Sequence, residues 1–333
     1  MKKTILFLIG LVFVSVQSMA DTRATALLLH NGEGKSFDAE QLQQAINEAV
    51  AGDVIYLSEG TFVAGNAEND TLILDKGVSL IGTGDMTILS GNINIAIDGE
   101  PSFSDFRIDG MKITQSIVVS KEMHGLKISK CFMLAIYATD YLTGLQMDRC
   151  YATSFVPNEF IKSATAINCI FSWITTAFGL KFDSTGCDLN FTNCSIYQVS
   201  ERANSDMGEV HDATFINCII YSIYRGEAPK QYSNNIYENC LTCNNIPSGN
   251  VVKNCYIAKF DATRDANNYN FPVFKITNEW LQANNYLGTD GTIVGADGGA
   301  TPYTLEADGI SIKESVLKVD PVTRQLNVIL KVE

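Results

Sequence analysis

The sequence predicts an all-β fold: a single-stranded right-handed parallel β-helix of about nine to eleven coils, with an N-terminal capping helix and a C-terminal β-hairpin cap. Three observations carry this reading. An Asn-Cys pair recurs along the middle of the chain, at Asn168-Cys169, Asn193-Cys194, Asn217-Cys218, Asn239-Cys240 and Asn254-Cys255. Alternating residues precede each pair and an apolar strand follows it, as in Leu189-Asn190-Phe191 before Cys194 and Ile219-Ile220-Tyr221 after Cys218. The chain is also rich in Asn, Gly, Thr, Ile and Tyr, which favour strands and turns.

The repeat defines a unit. The interval between successive cysteines of the five pairs shortens from Cys169 to Cys255, as the loops between units contract. Upstream the same slot reads Arg149-Cys150 and Lys130-Cys131, each one equal interval before the next, and Asp109-Gly110 fits the slot one coil earlier. Each unit is a strand, a one-residue corner and a second strand; a third, less regular strand then leads to the next unit. A sharp corner needs a left-handed backbone, which Asn tolerates best among non-glycine residues. Stacked Asn side chains can also hydrogen-bond along the axis. The residue after the corner points into a narrow core, where a free Cys serves as a small apolar side chain. Coils stack about 4.8 Å apart, so in-register thiols are poorly placed for disulfides. The seven ladder cysteines are therefore expected to be buried free thiols, although nine cysteines in an exported chain would ordinarily suggest disulfides. Cys187 and Cys243 lie off the ladder and are expected to serve packing. Cys240-x-x-Cys243 has no His or second cysteine pair nearby to complete a zinc site.

The ends read differently. Lys2 and Lys3, the apolar run Ile5 to Val16 and Ser18-Met19-Ala20 form an export signal, with cleavage expected after Ala20. The domain organisation expected is then 1–20 signal peptide, 21–53 N-terminal segment with a capping helix, 54–286 parallel β-helix, and 287–333 C-terminal loop and hairpin. Asp38 to Ala51 reads as an amphipathic helix with an Asp38/Gln41 capping box and an apolar face of Leu42, Ala45, Ile46, Ala49 and Val50. Gly288 to Pro302 reads as a loop. Ser315 to Val319 and Gln325 to Val332 alternate as strands around Asp320-Pro321. The formal net charge is −13, and −15 once Lys2 and Lys3 are removed. That balance argues against nucleic acid, and an anionic polysaccharide would need a bridging cation such as Ca²⁺. No later run is long and apolar enough to span a membrane. The expected product is secreted or periplasmic; its oligomeric state is left open, with a monomer favoured.

Ala45-Ile46-Asn47-Glu48-Ala49, Gly52-Asp53-Val54-Ile55-Tyr56-Leu57 and Glu59-Gly60-Thr61-Phe62 resemble the entry segment of the pectate-lyase-like β-helix superfamily. The Asn-Cys ladder resembles its asparagine ladder. Leu287-Gly288-Thr289-Asp290-Gly291 with Gly298-Gly299 is similar to the tail of secreted β-helix proteins from glycan-degrading bacteria. The resemblance covers nearly the whole mature chain and is specific for fold; fold does not fix function. It implies polysaccharide work, on the first strand of the coils and the loops beside it. The hydrolase signatures Asp-Asp, Gly-His-Gly and Arg-Ile-Lys are absent, as are the pectate-lyase Trp-Ile-Asp-His and Arg-x-Pro-x-x-Arg segments. Glu159-Phe160-Ile161-Lys162-Ser163 only echoes the esterase Asp-Phe-Ile-Phe-Gly.

The irregular segments between ladder units hold the candidate chemistry. A Ca²⁺-assisted lyase acting on an acidic glycan would take a base from Arg225, Lys230, Lys181 or His211 and hold Ca²⁺ with Asp206, Glu209 and Asp212. Exposed aromatic residues suggest glycan stacking, with Trp173 and Tyr224 foremost and Tyr197, Tyr221 and Tyr232 in the same coils. Three function classes remain open at this point: a glycan-processing enzyme, a non-catalytic glycan-binding protein and a structural surface protein.

Overall fold

The computed structural model describes residues 24–65, 69–97, 106–174, 186–200, 210–224, 234–268, 270–306, 312–319 and 326–332. It is an all-β solenoid of about seven turns. Strands that enter the corner stack in one sheet, and strands that leave it stack in another. The entry sheet runs from Val54–Leu57 through Ser79–Ile81, Arg107–Asp109, Lys127–Ser129 and Asp188–Thr192 to Val251–Lys253, each strand parallel to the next in the stack. The exit sheet runs from Gly60–Val63 through Phe132–Ala138, Ile170–Ile174 and Ser195–Ser200 to Tyr256–Ile257. A short third face is formed by Met123–His124 beside Leu142–Thr143, with a bridge from Leu142 to Ile161.

The corner between the two sheets is left-handed as the repeat predicts. φ is +62° at Gly110, +48° at Lys130, +52° at Arg149 and +49° to +55° at Asn168, Asn193, Asn217, Asn239 and Asn254. A second left-handed column lies where the chain enters the entry sheet, at Gly125, Gly144, Gly186, Asp212, Asn234 and Gly249. Its residue types vary, so no repeated pair announces it. Fixed corners fix register: Asp148 pairs with Ile167, Ile167 with Thr192 and Thr192 with Ile216. Register then stacks like on like inside. Phe191, Phe215 and Tyr237 form one column with centroids 5.0 Å apart and nearly parallel rings.

All nine cysteines are free thiols, and eight are buried. Ladder thiols donate to carbonyls of the preceding coil, as Cys218 does to Phe191 O at 3.5 Å and Cys240 to Phe215 O at 3.3 Å. Burial pushes the Cys131, Cys150 and Cys169 thiols well above their usual range. The off-ladder pair also packs: Cys243 donates to Phe260 O at 3.3 Å, and Cys187 is buried beside the Asn158 carbonyl.

The N-terminal cap is larger than the sequence reading. Thr25–His30 and Glu33–Asp38 form an antiparallel hairpin through Asn31 and Gly32, both left-handed, and Thr25–His30 also pairs antiparallel with Val54–Leu57. This hairpin shields the first edge of the entry sheet. The helix is shorter than Asp38 to Ala51. A 3-10 turn at Ala39–Gln41 leads into Leu42–Glu48, and Asp38 N donates to Gln41 Oε1 at 3.2 Å. Asp53 Oδ2 takes the Val50 N–H at 2.8 Å, which draws the chain out of the helix at Ala49. Val50 is consequently exposed rather than part of the apolar face.

The parallel stack closes at Tyr256–Ile257 instead of continuing to 286. Ala262–Asp265 and Phe271–Phe274 form an antiparallel hairpin, followed by the helix Asn278–Ala283, whose first turn is capped by Thr277. These elements fold back over the outside of the exit sheet and build a second core with Ile219, Leu241, Phe260, Leu281, Ile293 and Val294. Ile312–Val319 and Leu326–Val332 make the expected C-terminal hairpin, which joins no other sheet among the described residues. No helix among the described residues is long and apolar enough to cross a membrane.

The segment read as a loop after 287 is a strap laid on the asparagine corner. Asn217 O accepts from Gly295 N, and Asn217 Oδ1 accepts from Thr289 N at 3.0 Å. Asn168 Nδ2 donates to the carbonyls of Ala296, at 2.9 Å, and of Gly298. A Cβ at Gly288 would lie 2.6 Å from Asn217 Cγ, so only glycine permits this approach.

Because their thiols are fully buried, Cys194 and Cys218 should resist thiol alkylation until the protein is denatured. Cys255, half-buried on the last rung, should react first. Mass spectrometry of alkylated peptides before and after guanidinium treatment checks the order; rapid native labelling of Cys194 would contradict it.

Candidate functional site

The third face is the one the sequence reading assigns to ligands, and its described part is built by coil register. Met123 and Leu142 point inward and are buried, which turns His124 and Thr143 outward. One coil further, Ile161 is buried and Lys162 is exposed, with Lys162 N donating to Leu142 O at 2.8 Å. His124, Thr143 and Lys162 thus form one outward row at strand spacing. Tyr141 and Phe160 stand beside it, 5.8 Å apart edge to face. Tyr141 is 46% exposed, and the Lys162 ammonium sits over its ring at 5.0 Å from the centroid. Asn158 fixes the approach to Phe160: its Nδ2 donates to Ala138 O, and its Oδ1 accepts from Phe160 N at 3.2 Å. The row offers an aromatic ring, an ammonium, a hydroxyl and an imidazole on a rigid sheet, the groups that engage sugar hydroxyls and a uronate carboxylate.

Most of the sequence candidates for catalysis and metal binding lie outside the described residues. Lys181, Asp206, Glu209, Arg225 and Lys230 lie outside the described residues, as does Tyr232. His211 is buried just ahead of an entry strand. Asp212 is a left-handed corner residue, and its Oδ1 accepts from Asn234 Nδ2 at 2.8 Å. Its carboxylate therefore serves the second corner. Among the described residues, no group of three or more His, Cys, Asp or Glu side chains could hold a metal ion.

Trp173 lies in the exit sheet, in the strand Ile170–Ile174, away from the short face. Its ring is covered by the Arg264 guanidinium, 4.4 Å from the centroid, and the same guanidinium lies 5.0 Å from the Tyr197 ring. Tyr221 stacks near Tyr197 at 5.0 Å and against Phe260 at 5.9 Å. Trp173, Tyr197 and Tyr221 thus contact the protein's own C-terminal elements. Tyr224 ends the strand Ile219–Tyr224, paired with Ser200.

Tyr141, Thr143 and His124 escaped the sequence reading, which names Phe160 and Lys162 only within the segment that echoes an esterase motif. A signal existed. His124, Thr143 and Lys162 recur at one constant interval, as do Tyr141 and Phe160, and it is the interval that separates Cys131, Cys150 and Cys169. Compared with known proteins, the chain matches no family model, no curated protein and no solved structure. The solenoid therefore rests on its own geometry.

Removing the guanidinium should uncover Trp173. In a Trp280→Phe background, Arg264→Ala should shift tryptophan emission to the red and lower stability by about 0.5–2 kcal/mol. Unchanged emission would show that the stack does not form in solution.

Proposed function

We propose that this chain is a secreted, polysaccharide-interacting β-solenoid of the pectate-lyase-like kind that binds an acidic glycan along its short face. The observation that carries the reading is the Tyr141–Lys162 pair, an exposed aromatic ring with an ammonium 5.0 Å from its centroid, set in register with Thr143 and His124. A ring of this kind takes the C–H face of a sugar, and an ammonium takes a carboxylate. The rigidity of the sheet lowers the ordering cost of binding. Binding needs only groups present in this row. A Ca²⁺-assisted lyase needs in addition the carboxylates expected at Asp206 and Glu209, which lie outside the described residues.

Incubation of the mature protein with a panel of uronate polysaccharides, with and without Ca²⁺, tests both readings. The expected result is retention of an acidic glycan, weakened about tenfold, or ~1.4 kcal/mol, by Tyr141→Ala and by Lys162→Gln. No retained acidic glycan, or undiminished binding by both variants, would overturn the proposal. Appearance of unsaturated products by ultraviolet absorbance would raise the lyase above simple binding.

A further inference from the structure

The two sheets differ in what lies on their outer faces. The exit sheet is covered by the second core and the strap. The entry sheet is open: from Arg107 to Lys253 its outward residues are half-buried or exposed. Near its N-terminal end, Arg107 and Lys127 are paired directly across neighbouring parallel strands. Like charges in that position repel and destabilise the sheet. The placement is unusual in a chain whose net charge is −13.

Beside the two cations is a cavity of about 220 Å³, lined by Val54, Tyr56, Ser79, Ile81, Arg107 and Lys127. Val54 and Ser79 continue the column of the cations, while Tyr56 and Ile81 form the neighbouring column. Asp109 meets Arg107 at long range, through Nε at 3.9 Å. Asp148, two rungs on, is engaged by Arg149 at 2.6 Å. The volume falls below the roughly 300–1,000 Å³ of sites for drug-sized ligands, which suits a single ring.

We infer that the open face of the entry sheet carries a second binding site, formed by Tyr56, Arg107 and Lys127, for a sugar bearing a carboxylate or sulfate group. The guanidinium and ammonium, side by side at the rim of the cavity, take the anion. Tyr56, Val54 and Ile81 give the sugar ring an apolar floor. This site lies on a different sheet from the Tyr141–Lys162 row and does not depend on it.

Isothermal titration of the full mature chain carrying Tyr141→Ala and Lys162→Gln, which removes the short-face row, tests the inference, using a digalacturonate, a sulfated disaccharide and neutral cellobiose. The anionic sugars should bind and cellobiose should not, and the stronger of the two anionic sugars assigns the anion. Arg107→Gln and Lys127→Gln should each weaken binding about tenfold, and the double variant should abolish it. The distant Lys259→Gln should leave it intact. Melting curves establish that the variants are folded. Absence of binding by either anionic sugar, or wild-type binding by a folded double variant, would overturn the site. So would equal weakening by Lys259→Gln, which would mark a general charge effect.

Discussion

One backbone constraint governs this molecule: from Gly110 to Asn254 each coil turns its corner through a left-handed residue, at φ near +50° for the non-glycine corners. A left-handed residue costs most side chains about 1–2 kcal/mol, and Asn and Gly least. Placing such a residue at the same point of each coil fixes the register of both sheets. Register in turn decides which side chains meet. It stacks the thiols, lines up Phe191, Phe215 and Tyr237, and aligns outward residues such as His124 and Thr143. Two corners break the preferred chemistry, since Lys130 and Arg149 adopt the same conformation without an Asn amide. They lie upstream of Asn168 and Asn217, whose amides meet the strap.

The asparagines therefore do two jobs. Their backbones make the corner, and their amides hold the returning strap. The amide groups of Asn168 and Asn217 point outward to strap atoms rather than along the axis to one another. Sealing the corner has a cost. Asn193 Oδ1 and Tyr303 Oη are buried without a hydrogen-bond partner among the described residues, and burial pushes the Tyr303 hydroxyl far above its usual range. The strap and second core offset this by covering apolar side chains on the outer face of the exit sheet, including Phe132, Tyr151 and Ile170.

Local pattern made part of this legible. The Asn-Cys pairs revealed the corner, the thiol column and the two flanking strands, because each feature repeats within one coil. The N-terminal hairpin was readable too, since Asn31-Gly32 between alternating residues is a strong turn signal. It was overlooked beside the helix that follows. The strap was not readable. Its glycines answer to side chains far away in sequence, with Thr289 72 residues from Asn217 and Gly298 130 residues from Asn168. Among the site residues read for their titratable groups, His211 is buried and Asp212 forms a corner, while most of the others fall outside the described residues. The Tyr141–Lys162 row is spread over coils and emerges only when the chain is read at the coil period.

If the corner amides hold the strap while the left-handed backbone holds the solenoid, the two roles separate at a single residue. Asn217→Gly keeps the backbone conformation and removes the amide. Amide hydrogen exchange on this variant is the most direct measurement. The account predicts that residues 287–299 lose protection while the strands Asp188–Thr192 and Ile219–Tyr224 keep it. Unchanged protection of the strap, or loss of protection throughout the solenoid, would contradict it.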